Sequence, residues 1–349
     1  MVKSVLHELN ELERILEQGK HLFRSSIECI VPCHQHRFPI YVATLGSQDP
    51  AAPAVGFFGG IHGLEGIGTR ILLAFMHNLT IRLRWDTSLA AQLEHVRLVF
   101  MPLINPGGMH ARTRANPNGV DLMRNAPVEA SETVPLLVGG QRISHHLPWF
   151  RGLAGADMEI ESQALARVVR RELLVRPFSL ALDCHSGFGL RDRIWFPWAH
   201  SRRPHPRIAE LHALKSLFED SYPHHPYIFE PQCQQYLTHG DLWDYLSLEA
   251  QAQPHTTLLP LTLELGSWLW VKKNPKQLLT LSGMFNPLVP HREQRVLRGH
   301  LLWFDFLVRA TSAWTLWQPD ATLRRALEQA ATQQWFPHLA TLAEQDISR

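Results

Sequence analysis

The chain has 349 residues, an apolar share of 45%, a charged share of 19% and a formal net charge of +2 at pH 7, the profile of an ordinary soluble globular protein. It has neither a long basic run nor an apolar stretch of membrane-spanning length, so neither nucleic acid nor a membrane is an expected partner. Cys29, Cys33, Cys184 and Cys233 form no framework of close pairs, and Met1 to Glu8 lacks the basic-then-apolar layout of a secretory leader, so a cytoplasmic location is expected.

In chain order, Val5 to Phe23 is amphipathic, with Leu6, Leu9, Leu12, Ile15 and Leu22 on one side, and reads as a helix. Residues 27–31 and 39–45 read as two strands joined by a His-rich turn, and 48–53 as a loop. Next comes Phe57-Phe58-Gly59-Gly60-Ile61-His62-Gly63-Leu64-Glu65-Gly66. The apolar run Ala54 to Phe58 predicts a buried strand, and Thr69 to Leu79 has helical spacing. His62 and Glu65 therefore fall on a strand-to-helix turn, where open α/β sheets place their ligands. Val96 to Ile104 reads as a second buried strand, and Asn105-Pro106-Gly107-Gly108 as a loop. A polar segment follows to about residue 157, long enough to suggest function.

Glu159 to Val175 reads as a helix and Phe178 to Asp183 as a third buried strand, ending on Cys184-His185-Ser186-Gly187. Strands are expected at Arg193 to Pro197 and Tyr227 to Glu230, and helices at Arg207 to Phe218 and Asp241 to Ala250. Thr257 to Leu265 is the last clear strand, with Glu264 its only charge, and Gly299 to Trp317 and Asp320 to Trp335 read as helices. No repeat or low-complexity linker divides the chain.

His62, Glu65, His185 and Glu264 thus stand at strand ends, and in a parallel or mixed sheet such ends share an edge. Two His and one Glu suit a catalytic Zn²⁺ site with its fourth position left to water, whose pKa the metal lowers. Glu264 would take the water proton and pass it to a leaving amine. Asp183 would orient the His185 imidazole. Taken singly each residue has a plainer reading: His185 as a bonded core histidine, Glu264 as a buried carboxylate held by an arginine, Glu65 as a charge at a helix N-terminus.

Together these motifs resemble the zinc carboxypeptidases of the carboxypeptidase A type and their deacylase relatives, over about residues 50–270. His62-Gly63-Leu64-Glu65 is similar to that family's H-x-x-E zinc pair, and Cys184-His185-Ser186-Gly187 to the surroundings of its third ligand. Asn105-Pro106-Gly107-Gly108 stands where the family has Asn-Pro-Asp-Gly. Arg114-Ala115-Asn116-Pro117-Asn118-Gly119-Val120-Asp121-Leu122-Met123-Arg124-Asn125 resembles R-x-N-x-x-G-V-D-L-N-R-N, and Glu264 matches the catalytic glutamate.

The resemblance implies a single α/β catalytic domain over 1–349, with a mixed, largely parallel eight-stranded sheet and helices on both faces. It comprises an N-terminal helix and strands to residue 50, a catalytic core over 51–310 and C-terminal helices over 311–349. It implies one Zn²⁺ per chain on His62, Glu65 and His185, with Glu264 and Arg114 catalytic, the latter steadying an oxyanion. Arg124 and Asn125 would bind substrate, Arg124 gripping a terminal carboxylate. Met123 departs from the pattern, replacing an asparagine that helps bind that carboxylate. Tyr245 is the nearest candidate for the family's substrate-side tyrosine, with Ser247 in an alternative alignment and a core role for Tyr245 as the plainer reading. The expected activity is removal of C-terminal residues from peptides. Deacylation of N-acyl amino acids or side-chain amides, which Met123 favours, is the alternative; a non-catalytic metal-bearing scaffold is a second.

Overall fold

The computed structural model describes residues 4–339. Met1 to Lys3, and residues 340–349 of the expected C-terminal helical region, lie outside the described residues. Eight strands form one sheet: β1 (Arg24–Cys33), β2 (His36–Gly46), β3 (Ala54–Gly59), β4 (Arg97–Met101), β5 (Phe178–Ser186), β6 (Arg193–Phe196), β7 (Ile228–Pro231) and β8 (Thr257–Leu265). Their order is β1-β2-β4-β3-β5-β8-β6-β7. The central run β4, β3, β5 and β8 is parallel. The edges reverse: β1 and β2 run antiparallel to each other, β2 antiparallel to β4, and β6 antiparallel to β8, with β7 parallel to β6. This is the mixed, largely parallel eight-stranded sheet expected.

The buried strands carry apolar residues on both sides because helices cover both faces. Val55 and Phe57 of β3 pack into one core with Ile71, Leu72, Phe75 and Met76 of the helix Gly66–Arg82 and with Trp303, Phe304 and Leu307 of the helix Leu301–Ser312. Ala54 and Phe58, one residue out of phase, point to the other core. There they meet Leu165, Val168 and Val169 of the helix Ile160–Glu172 and Trp243 and Leu246 of the helix Leu242–Gln251.

Two expectations need correction, and one helix was not expected. Asn105 to Gly108 is the start of a short helix, Pro106–Ala111, rather than a loop; the Asn105 side chain accepts from the Gly108 N–H at 2.8 Å, and proline occupies the first turn. The expected helix from Gly299 to Trp317 is two pieces, Leu301–Ser312 and Trp314–Trp317, and Gly299 ends a separate helix, Pro290–Gly299. The break between the two pieces lets Trp314 stack on Phe178 at 5.3 Å between ring centres. The Pro290–Gly299 helix buries no residue, which is why apolar spacing gave no sign of it.

Candidate metal and catalytic site

The β3-to-helix turn is shaped by glycine. Gly60 has φ of +65°, a left-handed conformation. Gly63 lies so close to the Pro106–Ala111 helix that a Cβ there would fall 2.0 Å from the Gly108 carbonyl carbon. This close approach turns His62 and Glu65 inward, each at most 3% exposed. His185 and Glu264 are register partners on the adjacent strands β5 and β8, at the same edge. Donor atoms of His62, Glu65 and His185 all lie within 4.8 Å of one another, in the one such metal-competent cluster among the described residues.

Charged neighbours hold the three donors. His185 Nε2 is 2.8 Å from Asp183 Oδ2, which also accepts from the Trp243 indole at 2.9 Å. The same-face placement of residues two apart on a strand produces the contact. His185 Nδ1 faces Glu65 Oε2 at 3.2 Å. Burial opposes protonation of His185, but Asp183 and then Glu65 override it and hold the pKa well above the ordinary value. His62 goes the other way: burial, and next the Arg114 guanidinium, hold it well below. Its Nδ1, 3.7 Å from Asp121, has no hydrogen-bond partner among the described residues. A buried imidazole nitrogen without a partner, in a cluster of two imidazoles and a carboxylate whose donor atoms lie within 4.8 Å of one another, fits a cation such as Zn²⁺, and Asp183 is the kind of outer partner that orients a ligating histidine.

His62, Glu65 and His185 border a cavity of about 350 Å³, shared with Arg114, Met123, Arg124 and Glu264. Burial, and next the Glu65 carboxylate, push Glu264 up to about 8, while the Phe188 N–H holds one of its oxygens at 3.0 Å.

The family model for zinc carboxypeptidases matches residues 34–266. The chain belongs to the zinc carboxypeptidase family. The catalytic chain of carboxypeptidase N from Rattus norvegicus is 26% identical over 254 residues, covering 63% of this chain and 53% of that protein. Carboxypeptidase SOL1 from Arabidopsis thaliana is 33% identical over 93 residues, 26% of this chain and 19% of that protein. The chain thus spans about half the length of the former and a fifth of the latter. The crystal structure of thrombin activatable fibrinolysis inhibitor has the same fold, with a TM-score of 0.64 at 18% identity, over 88% of this chain and 75% of that one.

Not every residue expected from the zinc carboxypeptidase pattern reaches the cavity. Arg114 does, spanning Asp121 at 2.8 Å, Glu65 at 3.2 Å and His62 Nε2 at 2.7 Å. Arg124 does also; it is buried, donates to the Val138 and Met123 carbonyls, and enters no salt bridge among the described residues. Asn125 is tied up elsewhere, donating to the Arg151 carbonyl and accepting from the Glu159 N–H. Tyr245 lies on its helix against Arg170, whose guanidinium donates to the phenol at 3.0 Å, and Ser247 is buried; neither borders the cavity.

The tyrosine that does border it is Tyr236, with Asp241, Trp149, Phe188 and Phe285. The sequence reading missed Tyr236 because it follows β7, which runs against the core strands, so the strand-end rule that found His62 and His185 does not reach it. Asp241 was legible as a helix start: its Oδ1 accepts from the Trp243 and Asp244 N–H groups. Its Oδ2 is buried without a partner among the described residues. Burial, and next the Asp244 carboxylate, push Asp241 up to about 7.

Proposed function

We propose that the chain is a metallocarboxypeptidase that hydrolyses the C-terminal amide bond of peptides, with one Zn²⁺ held by His62, Glu65 and His185. The observation that carries this reading is Arg124: a buried guanidinium with no carboxylate partner among the described residues, in the same cavity as the donor set and Glu264. A cation so placed suits a substrate's terminal carboxylate.

When bound, the ion supplies a Lewis acid for the scissile carbonyl and lowers the pKa of water toward neutrality. Glu264 takes the proton of the attacking water and delivers it to the nitrogen of the departing amino acid; burial suits its carboxyl to hold a proton between the two steps. Arg114, fixed by Asp121, stands beside the cavity as a cation for charge developing on the carbonyl oxygen. Tyr236 takes the substrate-side place expected of Tyr245. The unpartnered oxygen of Asp241 favours a basic C-terminal side chain.

Met123 supports the second reading, deacylation of N-acyl amino acids. It borders the cavity, and a methionine has no N–H to donate to a carboxylate there. Mass spectrometry of a mixed pool of peptides and N-acyl amino acids, incubated with the zinc-loaded protein and with Glu264→Gln, separates the two. Loss of single C-terminal residues, absent in the variant, supports the carboxypeptidase. Loss of acyl groups with peptide ends intact overturns it in favour of the deacylase, and zinc binding without any turnover leaves only a scaffold.

A further inference from the structure

After β8 the chain folds into short helical turns, Trp268–Lys273, Pro275–Leu279 and Leu281–Phe285. Their inner side is fastened to the loops that build the catalytic cavity. The Asn286 amide donates to the Leu64 carbonyl at 2.7 Å and its oxygen accepts from the Ile67 N–H at 2.9 Å, bracketing Glu65. Ser186 donates to the Phe285 carbonyl at 2.7 Å, the Trp268 indole donates to the Gly187 carbonyl at 3.0 Å, and Phe285 borders the cavity. Gln277, fully buried, ties the turns together through the Gly283 and Asn286 carbonyls.

The outer side is apolar and basic. Leu278, Leu279, Leu281 and Leu288 are 51%, 83%, 62% and 49% exposed, and Trp268 is 45% exposed. Lys272, Lys273 and Lys276 are exposed as well, and the sequence has no acidic residue between Glu264 and Glu293. Scattered exposed leucines are ordinary. Several on one braced segment at the edge of a catalytic cavity are the mark of a binding surface.

We propose that this segment is a platform for the substrate residues N-terminal to the scissile bond, selecting chains with leucine-like side chains and carboxylates there. The proposal rests on the carboxypeptidase reading. With the terminal carboxylate at Arg124, the upstream chain leaves the cavity along the wall that Phe285 and Gly187 provide, onto the exposed leucines and lysines. A lipid surface would match the same mixture of groups. Pressed against this face, however, it would cover the margin of the cavity that Phe285 forms and obstruct the substrate.

The test compares kcat/KM for an acylated dipeptide and for two longer peptides with the same C-terminal pair, one with Leu and Glu upstream and one with Gly and Ser. The proteins are the zinc-loaded wild type and two surface variants, Leu278→Ser/Leu279→Ser/Leu281→Ser and Lys272→Glu/Lys273→Glu/Lys276→Glu. The wild type is expected to favour the Leu/Glu peptide over the Gly/Ser peptide by about tenfold or more, chiefly through KM. Both variants should lose that preference while cleaving the dipeptide as before. Equal rates on the two longer peptides, or a preference that survives both variants, overturns the platform. If no substrate is cleaved, the carboxypeptidase reading fails separately, and anisotropy of the labelled Leu/Glu peptide decides the platform: binding lost in the variants supports it, and binding unaltered overturns it. Variants that lose only binding to phosphatidylcholine–phosphatidylserine vesicles would also overturn it, assigning the face to lipid.

Discussion

Replacing Asp183 with asparagine isolates the support given to His185, one of the three residues that could hold a metal ion. Asp183 is fully buried, and its Oδ2 receives both His185 Nε2 at 2.8 Å and the Trp243 indole at 2.9 Å. An asparagine oxygen can occupy that position and keep both donors satisfied, so the shape is retained while the charge is lost. The imidazole then loses the neighbour that does most to raise its basicity. Removing such outer partners lowers metal affinity about 10–100-fold, or about 1.4–2.7 kcal/mol. The assay is competition for Zn²⁺ against a chromophoric chelator, with circular dichroism to verify the fold. Asp183→Ala should add a loss of stability, because it strands two buried donors at about 1–3 kcal/mol each. A folded Asp183→Asn protein with Zn²⁺ affinity within about twofold of wild type would refute the argument, since it falls outside the range for outer-partner loss.

Other consequences follow from the same geometry. Asp241 becomes a carboxylate as pH rises through about 7, so KM for peptides ending in lysine should fall across that range while KM for those ending in leucine does not; Asp241→Asn should erase the difference. Tyr236→Phe should lower kcat/KM about tenfold by removing a hydroxyl at the cavity, whereas Tyr245→Phe should leave it unchanged. Gly63→Ala drives a Cβ into the Gly108 backbone and should destabilise the fold by about 1–3 kcal/mol, read by urea denaturation; stability equal to wild type would contradict the packing described.

How far the sequence discloses this structure depends on how locally each signal is written. The strands β3, β5 and β8 are buried on both sides, so they appear as continuous apolar runs, and a His or Glu at their ends stands out. The pairing of His185 with Glu264 follows from β5 and β8 being parallel neighbours, an arrangement that the family resemblance supplies. Tyr236 and Asp241 were not legible as cavity residues. One follows a strand of reversed direction, and the other spends one oxygen on a helix start, which is the reading its sequence context advertises. Tyr245 misled for the converse reason: it was chosen as the nearest tyrosine in sequence without a motif around it, and its place on the helix turns it toward Arg170. The exposed leucines of 278–281 lie in short turns with no periodicity to report them.

The charge balance of the site gives its own argument for a cation. Three buried carboxyl groups, Glu65, Asp241 and Glu264, border one cavity together with two guanidiniums, Arg114 and Arg124. Buried like charges cannot all remain ionised. The two carboxyls that yield are Glu264, pushed up to about 8 by burial and then Glu65, and Asp241, pushed up to about 7 by burial and then Asp244. Glu65 stays low despite its burial, because His62, His185 and Arg114 surround it. A divalent ion at His62, Glu65 and His185 would add positive charge in the cavity that Glu264 also borders. It would thereby favour ionised Glu264, the form a general base needs. Exchanging Glu65 for glutamine should therefore act on Glu264 in two opposed ways: it removes the carboxylate that pushes the Glu264 carboxyl up, and it removes a donor for the ion that would pull it down.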